Sequence, residues 1–242
     1  MLKIAVFNLF GGTGKSTTAL NLGAAMAGPK RRMLLIDLDG QRTLSFALGM
    51  DGQTPTALDW LTNDGLFTPL ATSTKNLSLI PGDIGLFRLT TESDLFTPAL
   101  SRKACFFDLV LMDCPPSLSV VSVQAILSSS RVLVPTLCEP AALRGFSEAI
   151  ALIRDERPDM PIEALRVRYK PRLVLTRESD DLLIESAVEM NYRLLHTVIP
   201  DNIDVAESIA QQKSVLDYAP KSSGSKAYQS LAKECSKVWK VS

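Results

Sequence analysis

The sequence predicts an α/β fold in which a mostly parallel central sheet is covered by helices on both faces. Short, nearly continuous apolar runs rich in β-branched residues alternate with longer amphipathic stretches, which is typical of buried parallel strands joined by helices. The 242 residues contain no Gly/Ser-rich linker and no repeat at a fixed period. We therefore expect one domain spanning residues 1–242.

Each element of this prediction follows from a local pattern. Runs without a polar side predict buried strands at 3–8, 33–37, 77–80, 109–113, 132–135, 172–176 and 194–199. Apolar residues that recur every three or four positions predict helices at 17–27, 117–127, 143–154, 180–190 and, at the end of the chain, 221–242. Stretches rich in Thr, Pro, Gly and Asp predict loops with short helices at 51–69 and 82–98.

Composition excludes several classes of protein. Apolar residues make up 46% and charged residues 21% of the chain, which excludes a disordered, collagen-like or coiled-coil protein. Lys plus Arg and Asp plus Glu both number 26, so any nucleic-acid binding must come from a local basic patch. Neither an apolar run long enough to cross a bilayer nor a signal-peptide pattern is present, which predicts a cytoplasmic protein. The cysteines (Cys105, Cys114, Cys138 and Cys235) lack C-x-x-C spacing, which argues against zinc and disulfides.

A glycine-rich segment directly after the first strand predicts a phosphate-binding loop. Its glycines allow backbone N–H groups to surround a polyphosphate, and the helix that follows directs its positive end at the anion. Lys15 would supply a cation to the β- and γ-phosphates, and the Ser16 hydroxyl would ligate Mg²⁺. The candidate nucleotide-binding residues are Gly11, Gly12, Thr13, Gly14, Lys15, Ser16 and Thr17.

Carboxylates follow two other predicted strands at the same edge of the sheet. Asp37, Asp39 and Asp113 each lie at or just beyond a strand's carboxyl end, where open parallel sheets bind ligands. Asp113 and Asp37 are candidate partners of a magnesium ion, whose remaining waters need carboxylate acceptors. An alternative for Asp37 and Asp39 is that they cap the helix that follows.

Motifs along the whole chain resemble the ParA/MinD family of deviant-Walker P-loop ATPases. Residues 11–17 (GGTGKST) match the paired-glycine phosphate loop, 34–41 (LLIDLDGQ) look like its D-x-D-P-Q motif, and 107–117 (FDLVLMDCPPS) are close to its D-C-P-P-S motif. Residues 199–202 (IPDN) and 218–222 (YAPKS) match its closing region. The compact length and this closing region favour ParA over MinD, and the resemblance implies ATP and Mg²⁺ as cofactors.

The resemblance also implies roles for particular residues. Asp39 would orient the attacking water, while Arg177, Pro200 and Asp201 would surround the adenine. The family's signature lysine, which reaches the partner's phosphates in an ATP-dependent homodimer, is replaced here by Phe10. Either hydrolysis is slow or another cation substitutes for it. We assign Arg144 to that catalytic position beside Lys15 and Asp39, with Arg42 as the alternative; an McdA-like branch of the family also lacks the lysine.

The function that these features favour is an ATPase switch that positions a plasmid, a chromosome origin or a protein complex on nucleoid DNA, with a ParB-like or other adaptor stimulating hydrolysis. The basic C-terminal segment predicts non-specific DNA binding through Lys213, Lys221, Lys226, Lys233 and Lys237. One alternative is a MinD-like membrane switch anchored by a terminal amphipathic helix. Another is a metabolic enzyme or iron–sulfur reductase on the same scaffold.

Overall fold

A computed structural model describes residues 1–63, 67–103 and 106–241; Cys105 lies outside these ranges. Its strands are β1 (Leu2–Val6), β2 (Met33–Asp37), β3 (Leu70–Ala71), β4 (Leu77–Ile80), β5 (Leu109–Asp113), β6 (Arg131–Leu137), β7 (Ile162–Tyr169) and β8 (Arg193–Pro200). Its α-helices are α1 (Lys15–Met26), α2 (Thr43–Ala47), α3 (Ala57–Thr62), α4 (Phe96–Lys103), α5 (Val120–Ser128), α6 (Pro140–Glu156), α7 (Val174–Glu189), α8 (Ile203–Ala210), α9 (Val215–Tyr218) and α10 (Ser223–Val238).

The described strands form one sheet in the order β3-β4-β2-β5-β1-β6-β7-β8. Every pair is parallel except β3 with β4, which confirms the predicted fold class. In register, Asp113 at the end of β5 lies beside Val6 of β1 on one side and Asp37 of β2 on the other. The phosphate loop and two of the predicted carboxylates therefore meet at one edge of the sheet.

Helices cover both faces because alternate residues of each strand point in opposite directions. From β1, Ala5 contributes to one core cluster with α3, α4, α5 and α6. Its neighbours Ile4 and Val6 contribute to the other cluster, with α1, α2 and α10. The central strands are thus buried on both faces, which explains their continuous apolar sequence.

Helix α10 lies against the body of the protein, as its spacing predicted. Tyr228, Leu231, Cys235 and the following Trp239 are buried in the same core cluster as α1. The carboxylate of Glu234, on the same helix, accepts hydrogen bonds from the backbone N–H groups of His196 (2.7 Å) and Thr197 (2.8 Å) in β8. Helix α10 therefore also covers part of the last strand in the sheet.

The prediction of a strand at 172–176 is wrong, because these residues lead into helix α7. The strand in this part of the chain is β7, which sequence reasoning missed because it carries charged residues. Glu163 is buried and pairs with Arg131, and the partly buried Arg166 has its Nη1 2.9 Å from Asp180 Oδ1. Pairing of these charges permits their burial in the sheet.

Within the described ranges, every helix is too short or too polar to cross a lipid bilayer.

Candidate nucleotide-binding site

The loop between β1 and α1 has the conformation that a phosphate cradle needs. Gly12 (φ +74°) and Gly14 (φ +72°) adopt left-handed backbone angles, which residues with a Cβ rarely adopt. A Cβ placed at Gly11 or Gly12 would meet no atom within 4 Å, so the space beside the loop is open. Helix α1 begins directly after Gly14, and its unpaired N–H groups face this region.

A cleft of about 670 Å³ opens in front of this loop. Its phosphate end is lined by residues 12–17 and by Asp39. Its opposite end is lined by Arg168 near the end of β7, by Pro200 at the end of β8 with Asp201 after it, and by apolar side chains of α8. The cleft therefore joins a polar, glycine-rich end to a largely apolar end, as a nucleotide requires.

Lys15 is buried in the loop, and its Nζ donates to the Phe10 carbonyl oxygen at 3.2 Å. Burial lowers the pKa of Lys15, while the nearby Asp113 and Asp39 carboxylates raise it. The ammonium thus lies in a site of low polarity with two carboxylates close by. An electrostatic contact with a phosphate is stronger there than in water.

The carboxylate of Asp37 is fully occupied by protein donors. Oδ1 accepts from the Asp39 N–H (3.2 Å), and Oδ2 accepts from the backbone N–H (2.8 Å) and the hydroxyl (2.6 Å) of Ser45. Burial raises the pKa of Asp37 to about 6, and the bonds from Ser45 act against this rise. Asp37 therefore caps the N-terminus of α2 and stabilises the turn before it. This is the alternative role that the sequence analysis gave for Asp37.

Asp113 differs from Asp37 in its hydrogen-bond contacts. It is completely buried, and among the described residues neither oxygen has a partner with normal hydrogen-bond geometry. Burial raises the pKa of Asp113 well above its usual range and the Asp37 carboxylate raises it further, while Ser16 and Lys15 lower it. An unpartnered carboxylate beside the Ser16 hydroxyl is the donor set that Mg²⁺ binds, so these residues fit the ion.

Comparisons with known proteins show which family the chain belongs to. A family model described as an AAA domain matches residues 1–161, more than half of the chain. The chromosome partitioning protein ParA of Caulobacter vibrioides is 35% identical over 256 residues, covering 96% of this chain and 92% of that protein. The chain belongs to the ParA/MinD family of P-loop ATPases.

Two solved structures share the fold. The septum site-determining protein MinD of Pyrococcus horikoshii, complexed with Mg-ADP, has a TM-score of 0.82 and 24% identity, covering 99% of this chain and 98% of that one. Cobyrinic acid a,c-diamide synthase of Mycobacterium smegmatis, with an ATP analogue and magnesium bound, has a TM-score of 0.80 and 29% identity, covering 100% and 97%.

Phe10 occupies the position at which the sequence analysis expects the family's signature lysine. Phe10 is half-buried and packs against the core cluster that contains α1. Gly145 of α6 approaches it so closely that a Cβ on Gly145 would lie 2.8 Å from the Phe10 Cβ. The Phe10 side chain therefore packs inward, and α6 lies directly beside it.

Arg144 precedes Gly145 on α6 and projects from the surface. Its side chain is 85% exposed and makes an ion pair with Glu148 one turn later, at 3.0 Å. It is not among the residues that line the cleft of its own chain. Arg42, the alternative, makes an ion pair with Asp51 at 3.3 Å.

The structure does not place Arg177 at the cleft. Arg177 is an exposed residue of α7, since the strand expected before it does not form, and it does not line the cleft. The cleft is lined instead by Pro200, Asp201 and Arg168. Arg168 Nε lies 3.6 Å from Asp201 Oδ1, and the Lys170 Nζ is 3.6 Å from Oδ2. Recognising β7 would have revealed Arg168, because it lies near that strand's carboxyl end.

The predicted DNA-binding lysines share one property, which is exposure to solvent. On α10 they alternate with the buried stripe, so they lie on the outer face of the helix. They are Lys213, Lys221, Lys226, Lys233 and Lys237.

The cysteines that the structure describes, Cys114, Cys138 and Cys235, are buried free thiols. Burial raises the pKa of Cys114 and of Cys138, the latter to about 12.

Proposed function

We propose that the protein is an ATP-dependent dimerising switch that positions a DNA or protein cargo on nucleoid DNA. The observation that carries the proposal is the Asp113 carboxylate, which no described residue pairs in normal hydrogen-bond geometry. It lies behind a phosphate loop whose glycines leave room for a triphosphate. Likeness to ParA of C. vibrioides, a chromosome partitioning protein, supports the cargo-positioning role. ATP with Mg²⁺ is the ligand that this site fits.

Different residues of the site have different roles in phosphoryl transfer. The loop N–H groups and Lys15 hold the phosphates, and Ser16 with Asp113 would hold Mg²⁺, which supplies charge neutralisation when bound. Asp37 holds the adjoining turn in place through Ser45. Asp39 lines the cleft with Oδ1 fixed by the Gln41 N–H at 2.9 Å, and it orients the attacking water. Positioning and neutralisation are the main requirements of this reaction.

Arg144 completes the site of the partner subunit in this proposal. Gly145 touches Phe10, so Arg144 emerges beside the place from which the family's lysine reaches across the dimer. Its high exposure leaves it free to contact a second copy of the chain, since Glu148 holds it only at the surface. A cation supplied in trans stabilises charge that develops during transfer.

This role predicts complementation between two inactive variants. Arg144→Ala and Asp39→Ala should each lower ATP turnover at least about tenfold, because each site loses one charged group. In an equimolar mixture, half of the dimers pair the two variants and regain one complete site, so we expect about a quarter of the wild-type rate. Steady-state phosphate release measures both effects.

Glu148→Ala is the matched control, since it frees Arg144 without removing its charge, and it should retain turnover. If the mixture stays as slow as the separate variants although Arg144→Ala is inactive, Arg144 acts within its own chain. If Arg144→Ala is fully active, the arginine has no part in the reaction.

The C-terminal lysines predict DNA binding that depends on the nucleotide. With ATP and Mg²⁺ we expect a dimer that binds double-stranded DNA of any sequence, and with ADP a monomer that does not. Lys233→Glu combined with Lys237→Glu should weaken binding and reduce the slope of log affinity against log salt by about 2. Light scattering and fluorescence anisotropy at several salt concentrations measure these changes.

Lys30→Glu combined with Lys75→Glu provides the control, because both lysines are exposed but lie outside this segment. A monomer in every nucleotide state would contradict the switch. The MinD-like alternative is tested with anionic vesicles in the same assay. The structure does not favour it, since the apolar stripe of α10 is buried against the body.

A further inference from the structure

Two loops meet beside the candidate water-orienting residue. One is the turn after β2, which carries Asp39; the other follows β4. A Cβ on Gly82 in the second loop would lie 3.0 Å from the Asp37 Cγ and 3.0 Å from the Asp39 carbonyl oxygen. The Gly82 N–H also donates to the Ser45 hydroxyl at 2.9 Å. The second loop therefore supports the turn directly.

Phe87 extends this contact to the residue next to Asp39. It belongs to a short 3₁₀ helix, Ile84–Arg88, and its ring lies against Gly40. A Cβ on Gly40 would lie 2.6 Å from two carbons of the ring and 2.9 Å from a third. The backbone of Gly40 is outside the left-handed region, so glycine is required here by the ring and not by the backbone angles.

Packing of the core does not account for Phe87. Phe87 is 56% exposed, and Ile84 of the same 3₁₀ helix is 63% exposed. An aromatic side chain with this exposure buries little area, so its removal affects folding far less than removal of a core phenylalanine. The ring nevertheless lies so close to Gly40 that any residue with a Cβ at position 40 would clash with it.

We propose that Phe87 is a positioning residue for ATP hydrolysis, fixing Asp39 by packing its ring on Gly40. The inference rests on the proposed function, in which Asp39 orients the attacking water. Asp39 is tied into the turn at its carbonyl, which accepts from the Arg42 N–H at 2.9 Å, and at its side chain by Gln41. The ring and Gly82 confine the remaining backbone, so the carboxylate keeps one position in the cleft.

A double-mutant cycle tests this packing. Gly40→Ala forces the ring and the turn apart, so kcat should fall by about tenfold or more, since displacements near 1 Å can lower turnover about a hundredfold. Phe87→Ala frees the turn and should lower kcat by roughly threefold to tenfold, with the KM for ATP within about twofold. In the double variant the methyl group fits the vacated space, so kcat should exceed that of Gly40→Ala alone.

Ile84→Ala is the control, since it removes a similar exposed apolar side chain from the same 3₁₀ helix. Phe87→Leu, which keeps apolar bulk, should rescue part of the Phe87→Ala loss. Thermal melting and binding of a fluorescent ATP analogue show whether each variant is folded and loaded. Unchanged kcat in Phe87→Ala, or a double variant slower than both single variants, would overturn the proposal.

Failure of the proposed function gives a different result. In that case the wild-type protein lacks ATP hydrolysis, or Asp39→Ala retains it in full, whatever residue is present at position 87. Failure of the Phe87 inference alone leaves an active wild type, an inactive Asp39→Ala variant and an unaffected Phe87→Ala variant.

Discussion

Lys15→Met is expected to lower kcat/KM for ATP by about a hundredfold to a thousandfold, which is the usual effect of removing one preorganised charged donor. The methionine keeps much of the length and packing of the lysine but removes the ammonium that lies close to Asp113 and Asp39. Since the cleft is lined by few other cations among the described residues, the developing phosphate charge would lack its main protein partner.

The measurements are steady-state ATP hydrolysis and titration with a fluorescent ATP analogue. Lys30→Met is the matched control, because Lys30 is an exposed lysine. Circular dichroism establishes that both variants fold. Hydrolysis within about threefold of the wild type in a folded Lys15→Met protein would mean that the loop does not act on the phosphates.

Asp113→Asn is expected to abolish magnesium-dependent hydrolysis and, at the same time, to stabilise the nucleotide-free protein. Among the described residues the buried carboxylate has no hydrogen-bond partner of normal geometry, and it lies beside Asp37, so its charge is unfavourable without the metal. A neutral amide of the same shape removes this repulsion. We expect at least about a hundredfold loss of turnover and a melting temperature higher by roughly 3 °C or more at about pH 8.

The pH dependence of this stabilisation has a definite sign. The pKa of Asp113 is raised in the folded protein, so the unfolded chain loses the proton first as pH increases. The wild type therefore loses stability as pH rises from the unfolded value toward the raised folded value, whereas Asp113→Asn does not. The difference in melting temperature should be small at about pH 4 and largest at about pH 8.

Differential scanning fluorimetry across this range, without nucleotide and with Mg-ATP, measures the effect. Asp155→Asn serves as the control, since Asp155 is an exposed carboxylate of α6. Mg-ATP should stabilise the wild type more than Asp113→Asn. A melting temperature of Asp113→Asn equal to or below that of the wild type at every pH would contradict the assignment of Asp113 as an unpartnered charge.

The central strands could be predicted because each has a recognisable local sequence pattern. Strands β2, β4 and β5 have the predicted bounds, since residues buried on both faces leave continuous apolar runs. Strand β7 could not be predicted in this way. The partners that neutralise Glu163 and Arg166 are Arg131 and Asp180, and such distant pairs are invisible to a local pattern.

In the candidate site, too, residues in local motifs could be predicted, whereas residues placed by tertiary packing could not. Its phosphate loop and aspartates lie in short motifs, so sequence alone located them. Arg168 and Phe87 escaped because their places depend on how β7 and the loop after β4 pack against other parts of the fold. Distinguishing Asp37 from Asp113 likewise required the structure, since only there is Ser45 seen to occupy one carboxylate and not the other.

The contact between Glu234 and β8 has a consequence for self-association. A strand at the margin of a sheet can recruit the same strand of another molecule, which leads to fibrous aggregates. Here two amide groups of that margin are already taken by a carboxylate from the final helix. Helix α10 therefore shields part of this edge strand from pairing with a second molecule. A chain shortened before Ser223 would leave these N–H groups of β8 exposed to other molecules.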